Sequence, residues 1–347
     1  MLPSLNGNKI LDRSYPFEVT DASQVGEVRR FAANMGSELD LDEVQQGKIA
    51  IVINELGNNL VKYAKNGEIL LRAINENPAG RGIEILSIDR GPGMMDVTNN
   101  LRDGVTSSSS PGTGLGAVKR ISDTFDIYSE QGKGTLIVSI VMSNKVNALT
   151  TRWPFNIGAI CIPMKGEVVS GDNWEVRRTP FGFDLVAADG LGHGPLANLA
   201  STKTCATFME TTGSHENLLK SIHISLKGTR GAAVFVVTSA NGGNVEYSGV
   251  GNIRCILQNK DLIKTLISQN GTAGLQMRTI KPLFQVWDNH TLLILHSDGV
   301  MGRWDTSFCP ALTFKHPALM AAAIYRDYNR GTDDLLIVTI GKMHDSN

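Results

Sequence analysis

Three short stretches, Glu55-Leu-Gly-Asn-Asn59, Asp89-Arg-Gly-Pro-Gly93 and Gly112-Thr-Gly-Leu-Gly116, follow one another between residues 55 and 116 of a 347-residue chain. They constrain the first half more than composition does, because each belongs to a different kind of local structure. Between Asp42 and Ala64, the residues Ile49, Val52, Ile53, Leu56, Leu60 and Tyr63 recur at helical spacing, which predicts a helix laying that face on a sheet. Glu55, Asn59 and Lys62 fall on another stripe of that helix. A carboxylate and a carboxamide one turn apart suit a Mg²⁺ shell and the orientation of a nucleophile; standing alone, the pair reads better as a solvated face. Strands are expected at Tyr15 to Val19, Glu68 to Ile74 and Gly82 to Ile88, and Asp21 can cap a helix through Val25, Val28, Phe31 and Ala32. Asp89 ends the third of those strands, where it can accept a hydrogen bond from an adenine amino group; a plain turn explains Gly-Pro-Gly equally well. Glycines at the start of the helix containing Val118, Lys119 and Ile121 expose N–H groups that suit phosphates. No Gly-Lys-Ser/Thr follows, so this is not a P-loop, nor is it a Rossmann fingerprint at a first strand. Gly132-Lys-Gly-Thr135 then precedes a strand from Leu136 to Val141.

The order of Glu-x-x-x-Asn, Asp-x-Gly-x-Gly, a glycine-rich lid and a terminal Gly-Thr strand resembles the GHKL ATPase fold. The wording INELGNNLVKYAKNGEI, with the stretch from Asp89 to Thr135, is similar to RsbT-type switch-protein serine kinases. No phosphoacceptor-His helix accompanies these motifs, unlike a full sensor histidine kinase. The resemblance spans about residues 10 to 142. It implies Glu55 as general base for the acceptor hydroxyl, Asn59 as Mg²⁺ ligand and Asp89 as reader of adenine, with Gly91, Gly93, Gly112, Gly114 and Gly116 lining ATP.

Acidic turns mark the second half, beyond a polar linker SNKVNALT: Gly171-Asp172, Asp189-Gly190, Ser297-Asp298-Gly299 and Asp333-Asp334. Val168 to Asp172 is read as ending in an acidic turn. Strands are expected at Phe183 to Ala188, Ala232 to Thr238, Val245 to Tyr247, Ile253 to Leu257, Leu292 to Leu295 and Leu335 to Ile340, with a helix from about Leu196 to Glu210. One Asp-Gly after a strand is usually a turn; four acidic turns at strand margins suit Mg²⁺ or Mn²⁺. Two such ions about 4 Å apart can polarise a bridging water and steady a phosphoryl group. The series resembles PPM metal-dependent phosphatases of the SpoIIE branch, and SGDNWEV, AADGLGHGPLAN, GTRGAAVFVV, YSGVGNIRCIL and HSDGV resemble the RsbX-type enzymes over residues 153 to 342. That resemblance implies Asp172, Asp189, Asp298, Asp333 and the Gly190 carbonyl as metal ligands, with Asp334 substituting for or supporting Asp333. Leu336 departs from the family, which often has Thr there. His193 is a candidate proton shuttle, with a loop histidine satisfied by backbone the preferred reading. Structural roles are likewise preferred for Trp174, Arg177, Arg178 and Arg230 over contact with substrate phosphate.

The length suggests two domains. We expect an α+β two-domain chain: a GHKL (Bergerat) α/β sandwich over 1–145 and a PPM-type α-β-β-α sandwich over 150–347. With 33 basic against 34 acidic residues and a net charge of -1, nothing steers it to nucleic acid or membrane. The four cysteines stand far apart and read as free cytosolic thiols. Neither a signal peptide nor an apolar run of about 18 residues is visible, so a cytoplasmic protein is expected. The two resemblances belong to enzymes acting oppositely on one kind of substrate. The leading expectation is therefore a bifunctional kinase and phosphatase for Ser or Thr of a STAS-domain protein, with stressosome or sigma-regulatory proteins as further partners. It would use Mg-ATP in the first domain and two Mn²⁺ or Mg²⁺ in the second. The alternatives are a phosphatase regulated by a non-catalytic ATP-binding domain and an anti-sigma-factor binding module.

Overall fold

The computed structural model describes residues 13–76, 80–101, 114–143, 153–179, 182–240, 243–302, 304 and 310–343. The chain divides between residues 150 and 151 into two compact units. The first contains β1 (Ser14–Glu18), α1 (Ala22–Glu38), α2 (Glu43–Tyr63), β2 (Glu68–Glu76), β3 (Gly80–Ile88), α3 (Val97–Asn100), α4 (Gly114–Ile121), β4 (Thr124–Glu130) and β5 (Gly134–Met142). Asp21 caps α1 in a full capping box with Gln24, and Asp42 caps α2, so both helices start where the sequence places a short acceptor side chain.

The strands form one antiparallel sheet in the order β1-β2-β3-β5-β4. Alternate residues of the central strands, Ile69 and Leu71, Ile83 and Ile85, Ile137 and Val141, share a core with Phe31 and Met35 of α1, Ile49, Val52, Ile53 and Leu56 of α2, and Val118 of α4. Helical and strand periods thus meet on one face, giving the expected α/β sandwich. Tyr63 is the exception to the expected α2 stripe: at the last turn it is 51% exposed. On β2 and β3, Arg72 and Glu84 face each other and form a buried bidentate ion pair, both contacts 2.9 Å.

The second unit holds β6 (Phe155–Ile162), β7 (Asp172–Thr179), β8 (Gly182–Gly190), α5 (Pro195–Glu210), α6 (His215–Ser225), β9 (Ala232–Ala240), β10 (Asn244–Val250), β11 (Arg254–Gln258), β12 (Ile263–Leu266), β13 (Leu283–Val286), β14 (Leu292–His296), α7 (Pro317–Tyr328) and β15 (Leu335–Lys342). Its two antiparallel sheets run β13-β10-β9-β8-β7 and β12-β11-β14-β15-β6. Phe183, Leu185, Phe235 and Val237 of the first sheet share one core with Phe155, Leu293, Leu295, Leu336 and Val338 of the second. Residues of opposite parity on the first sheet, Val186, Val234 and Val236, pack under α5 and α6. On the outer side of the second sheet α7 lies against β6 and β15. The result is an α-β-β-α sandwich.

Two features go beyond the sequence reading. Residues 163–171 are loop, and the acidic turn at its end delivers Asp172 as the first residue of β7. The helix α7, not anticipated from the sequence, is buried at every residue from Pro317 to Tyr325. Cys161, Cys205 and Cys255 are buried and form no disulfide among the described residues, while Cys309 and the linker 144–152 lie outside the described residues. Among the described residues, no helix is long and apolar enough to cross a membrane.

Candidate functional site

The first candidate site gathers around the C-terminal half of α2. Glu55 and Asn59 are half-buried, one turn apart, and neither side chain makes a hydrogen bond or ion pair among the described residues. The turn after β3 is tied to the end of that helix: Arg90 N–H donates to the Lys65 carbonyl (3.0 Å), and a Cβ at Gly91 would stand 2.8 Å from the Tyr63 carbonyl. Gly91 N–H donates to Asp89 Oδ1 at 2.6 Å, which orients that carboxylate, and Asp89 N–H donates to the Thr135 carbonyl at 3.0 Å. Gly93 adopts φ +70°, and a Cβ there would lie 2.2 Å from the Glu130 carbonyl. These glycines are therefore demanded by the approach of the turn to the chain's own α2 end and β4–β5 hairpin, a reason the sequence reading did not find. Gly114 opens α4 and Gly116 is buried within it; Gly112 lies outside the described residues.

The second candidate site forms where the ends of both sheets of the sandwich meet. Asp172 and Asp189 are direct cross-strand partners on β7 and β8, so strand register alone sets two carboxylates side by side. Asp298 follows β14 and Asp333 precedes β15, its neighbour in the other sheet. The two sheets are joined at this point by Ser297, whose hydroxyl donates to Asp172 Oδ2 (2.6 Å) and accepts from Leu336 N–H (3.0 Å). Leu336, at the position where Thr was expected, serves through its backbone while its side chain lies in the core. Asn252 donates to Asp298 Oδ2 at 2.9 Å.

The carboxylates feel one another strongly. Burial, then Asp298, Asp333 and Asp334, push Asp189 up to about 7. Burial and Asp189 push Asp172 well above the usual carboxylate range, against the lowering effect of Ser297. Asp298 is raised by burial and Asp333, with Arg330 opposing. Asp334 is raised by burial, opposed by backbone N–H groups of Met164, which donates to its Oδ1 at 2.8 Å, and of Gly171. Among the described residues no three His, Cys, Asp or Glu side chains are arranged so as to hold a metal ion as they stand. The set is nonetheless chemically suited to hard divalent cations: oxygen donors and surplus negative charge. Asp333 is half-buried and accepts Asp334 N–H at 2.9 Å, so the adjacent acids face different surroundings.

The remaining candidates separate. His193 Nδ1 lies 2.7 Å from Glu167 Oε1, a side-chain partner where backbone was expected. Trp174 is in the core. Arg177 pairs with Asp184 and donates to the Phe208 and Thr211 carbonyls, and Arg178 stacks on Trp153, 4.1 Å from the ring centroid. Ser297, Asn252 and Glu167 were missed because their partners are distant in sequence.

The family described as histidine kinase-like ATPase domains matches residues 18–140. The serine/threonine-protein kinase RsbT of Bacillus subtilis (strain 168) is 35% identical over 112 residues, 32% of this chain and 84% of RsbT. Among solved structures, one from work on the bacterial stressosome as a modular system adapted to secondary-messenger control covers 54% of this chain and 98% of its own, at 24% identity and a TM-score of 0.50. RsbX in complex with magnesium covers 56% of this chain and 98% of its own, at 18% identity and a TM-score of 0.50. These two structures share the fold of the second unit.

Proposed function

The N-terminal unit of this chain belongs to the histidine kinase-like ATPase family, in its RsbT-type serine/threonine-kinase branch, and from that premise we propose a bifunctional kinase and phosphatase acting on Ser or Thr of a STAS-domain protein in bacterial partner switching. The observation that carries the second activity is the convergence of carboxylates from both sheets at one end of a fold shared with RsbX. Residues 1–145 are assigned to the kinase and 150–347 to the phosphatase, in the cytoplasm, with stressosome or sigma-regulatory proteins as further partners.

In the kinase, Glu55 takes the proton of the acceptor hydroxyl as its oxygen attacks the γ-phosphorus, and ADP leaves. Asp89 reads adenine, Gly91, Gly93, Gly112, Gly114 and Gly116 line the nucleotide, and Asn59 would hold Mg²⁺. In the phosphatase, Asp172, Asp189, Asp298, Asp333 and the Gly190 carbonyl would hold two Mn²⁺ or Mg²⁺, whose chemistry there is to activate water and offset phosphoryl charge. Asp334 braces the Met164 loop beside them. Ser297 keeps Asp172 aimed inward.

The test is purified chain with Mg-[γ-³²P]ATP and STAS proteins of the same genome, with and without Mn²⁺. Label appearing on a STAS protein and persisting longer with Asp298→Asn supports both activities. Absence of label from wild type and Asp298→Asn, with dephosphorylation intact, would reduce the first unit to an ATP sensor.

A further inference from the structure

Arg230 stands on the turn between α6 and β9, at the same end of the sheet as the acidic cluster. Asp189 pairs with Ala233 and Gly190 with Ala232, so Arg230 lies two residues past the last register pair. Its turn is held firmly: Gly231 O accepts Leu191 N–H (3.0 Å), while the Thr229 hydroxyl accepts Gly231 N–H (3.0 Å) and donates to the Leu226 carbonyl (2.7 Å). Gly231 has φ +81°, and a Cβ there would meet the Ala273 carbonyl at 2.7 Å, so the path of the chain beside Arg230 requires glycine. The side chain crosses to the loop after Gly190. There Gly192, at φ +84°, leaves room for it: a Cβ would stand 2.9 Å from Arg230 Nη1.

Arg230 is exposed, and its guanidinium has no hydrogen bond or ion pair among the described residues. By contrast, Arg177 and Arg326 are engaged by Asp184 and Asp327. A cluster of five carboxylates repels a phosphate ester, and two divalent cations offset only part of that repulsion once the ester's own charge is added. A guanidinium fork matches two phosphoryl oxygens, which an ammonium or a lone N–H does not.

We propose that Arg230 is the substrate-binding residue that receives the non-bridging oxygens of the phosphoryl group at the second site. The proposal rests on the phosphatase reading. Gly192 and Gly231 are then the features that bring the guanidinium to the loop after Gly190, not generic loop glycines.

The full-length chain loaded with Mn²⁺ tests this, comparing wild type, Arg230→Ala and Arg230→Lys. Steady-state kinetics are measured on p-nitrophenyl phosphate and on a phosphorylated STAS protein, and calorimetry follows binding of inorganic phosphate and of Mn²⁺. The expected result is unchanged Mn²⁺ binding, with phosphate affinity and KM for both esters weakened by roughly 10- to 100-fold in Arg230→Ala and partly restored in Arg230→Lys. Unchanged phosphate affinity overturns the assignment. So does a loss confined to the phosphoprotein, which makes Arg230 a docking residue. A wild type that binds Mn²⁺ yet hydrolyses neither ester overturns the phosphatase reading and the assignment with it.

Discussion

Asp189 is a carboxylate held against its own charge by its surroundings. Its carboxyl is pushed up to about 7, first by burial and then by Asp298, Asp333 and Asp334. The folded chain therefore holds a proton that the unfolded chain releases near 3.8. That contributes stability at acid pH, which is lost as pH rises through about 7. Asp189→Asn keeps the shape without the charge. We expect it to unfold at higher denaturant than wild type at pH 8 without metal, by roughly 2 to 4 kcal/mol, with the gain shrinking toward pH 4. Phosphatase activity should be lost in the same variant. His215 and His296, both lowered to about 4 chiefly by burial, act with the opposite sign, losing stability as pH falls from 6.5 through 4; common to both proteins, they cancel in the comparison. Glu55→Ala should reduce phosphorylation of the STAS protein by about 10²-fold or more while binding of a fluorescent ATP analogue persists. Loss of ATP binding instead would make Glu55 part of the nucleotide seat.

Elements differ in how openly they declare themselves. The helices α1 and α2 were readable because a cap residue precedes a one-faced apolar stripe, and β8 because a buried run ends in Asp-Gly. The helix α7 was not, since its run from Pro317 to Tyr325 is apolar and buried throughout, with polar residues only at its end, and so marks no single buried face by spacing. The glycines of α2 show what sequence cannot weigh. Gly57 sits where α1 crosses, and a Cβ there would lie 2.8 Å from both methyl carbons of Val25; a Cβ at Gly47, on the same helix, meets nothing within 4 Å. Alanine should therefore stabilise at position 47 by up to about 1 kcal/mol. At position 57 the crowding should outweigh that propensity and cost about 1 to 3 kcal/mol. Thermal unfolding of the two variants checks the sign of each. Gly158, whose Cβ would reach 2.2 Å from Ala318 Cα, reads the same way between β6 and α7.

For the whole molecule, the proposed pair of opposed activities on one substrate predicts a measurable cycle. With Mg-ATP, Mn²⁺ and a STAS protein, wild type should keep hydrolysing ATP after every acceptor has been phosphorylated once. Asp298→Asn should stop at about one ATP per acceptor hydroxyl, a burst that a coupled ADP assay resolves; continued hydrolysis in that variant would assign the ATP use elsewhere. By itself the sequence determined the kinds of chemistry present: a carboxylate and a carboxamide one turn apart, glycines in a turn after a strand, acids at strand margins. Such features are local, and a spacing of three or four residues, or a strand end, suffices to express them. Tertiary structure decided which groups meet and what each glycine is for. Ser297 reaches Asp172 across 125 residues, and Asp334 meets Met164 across 170. Strand register sets Asp172 against Asp189 and carries Arg230 to the Gly192 loop. Those meetings follow from how two sheets bury a common core, and burial is a property of the packed chain that no short spacing encodes.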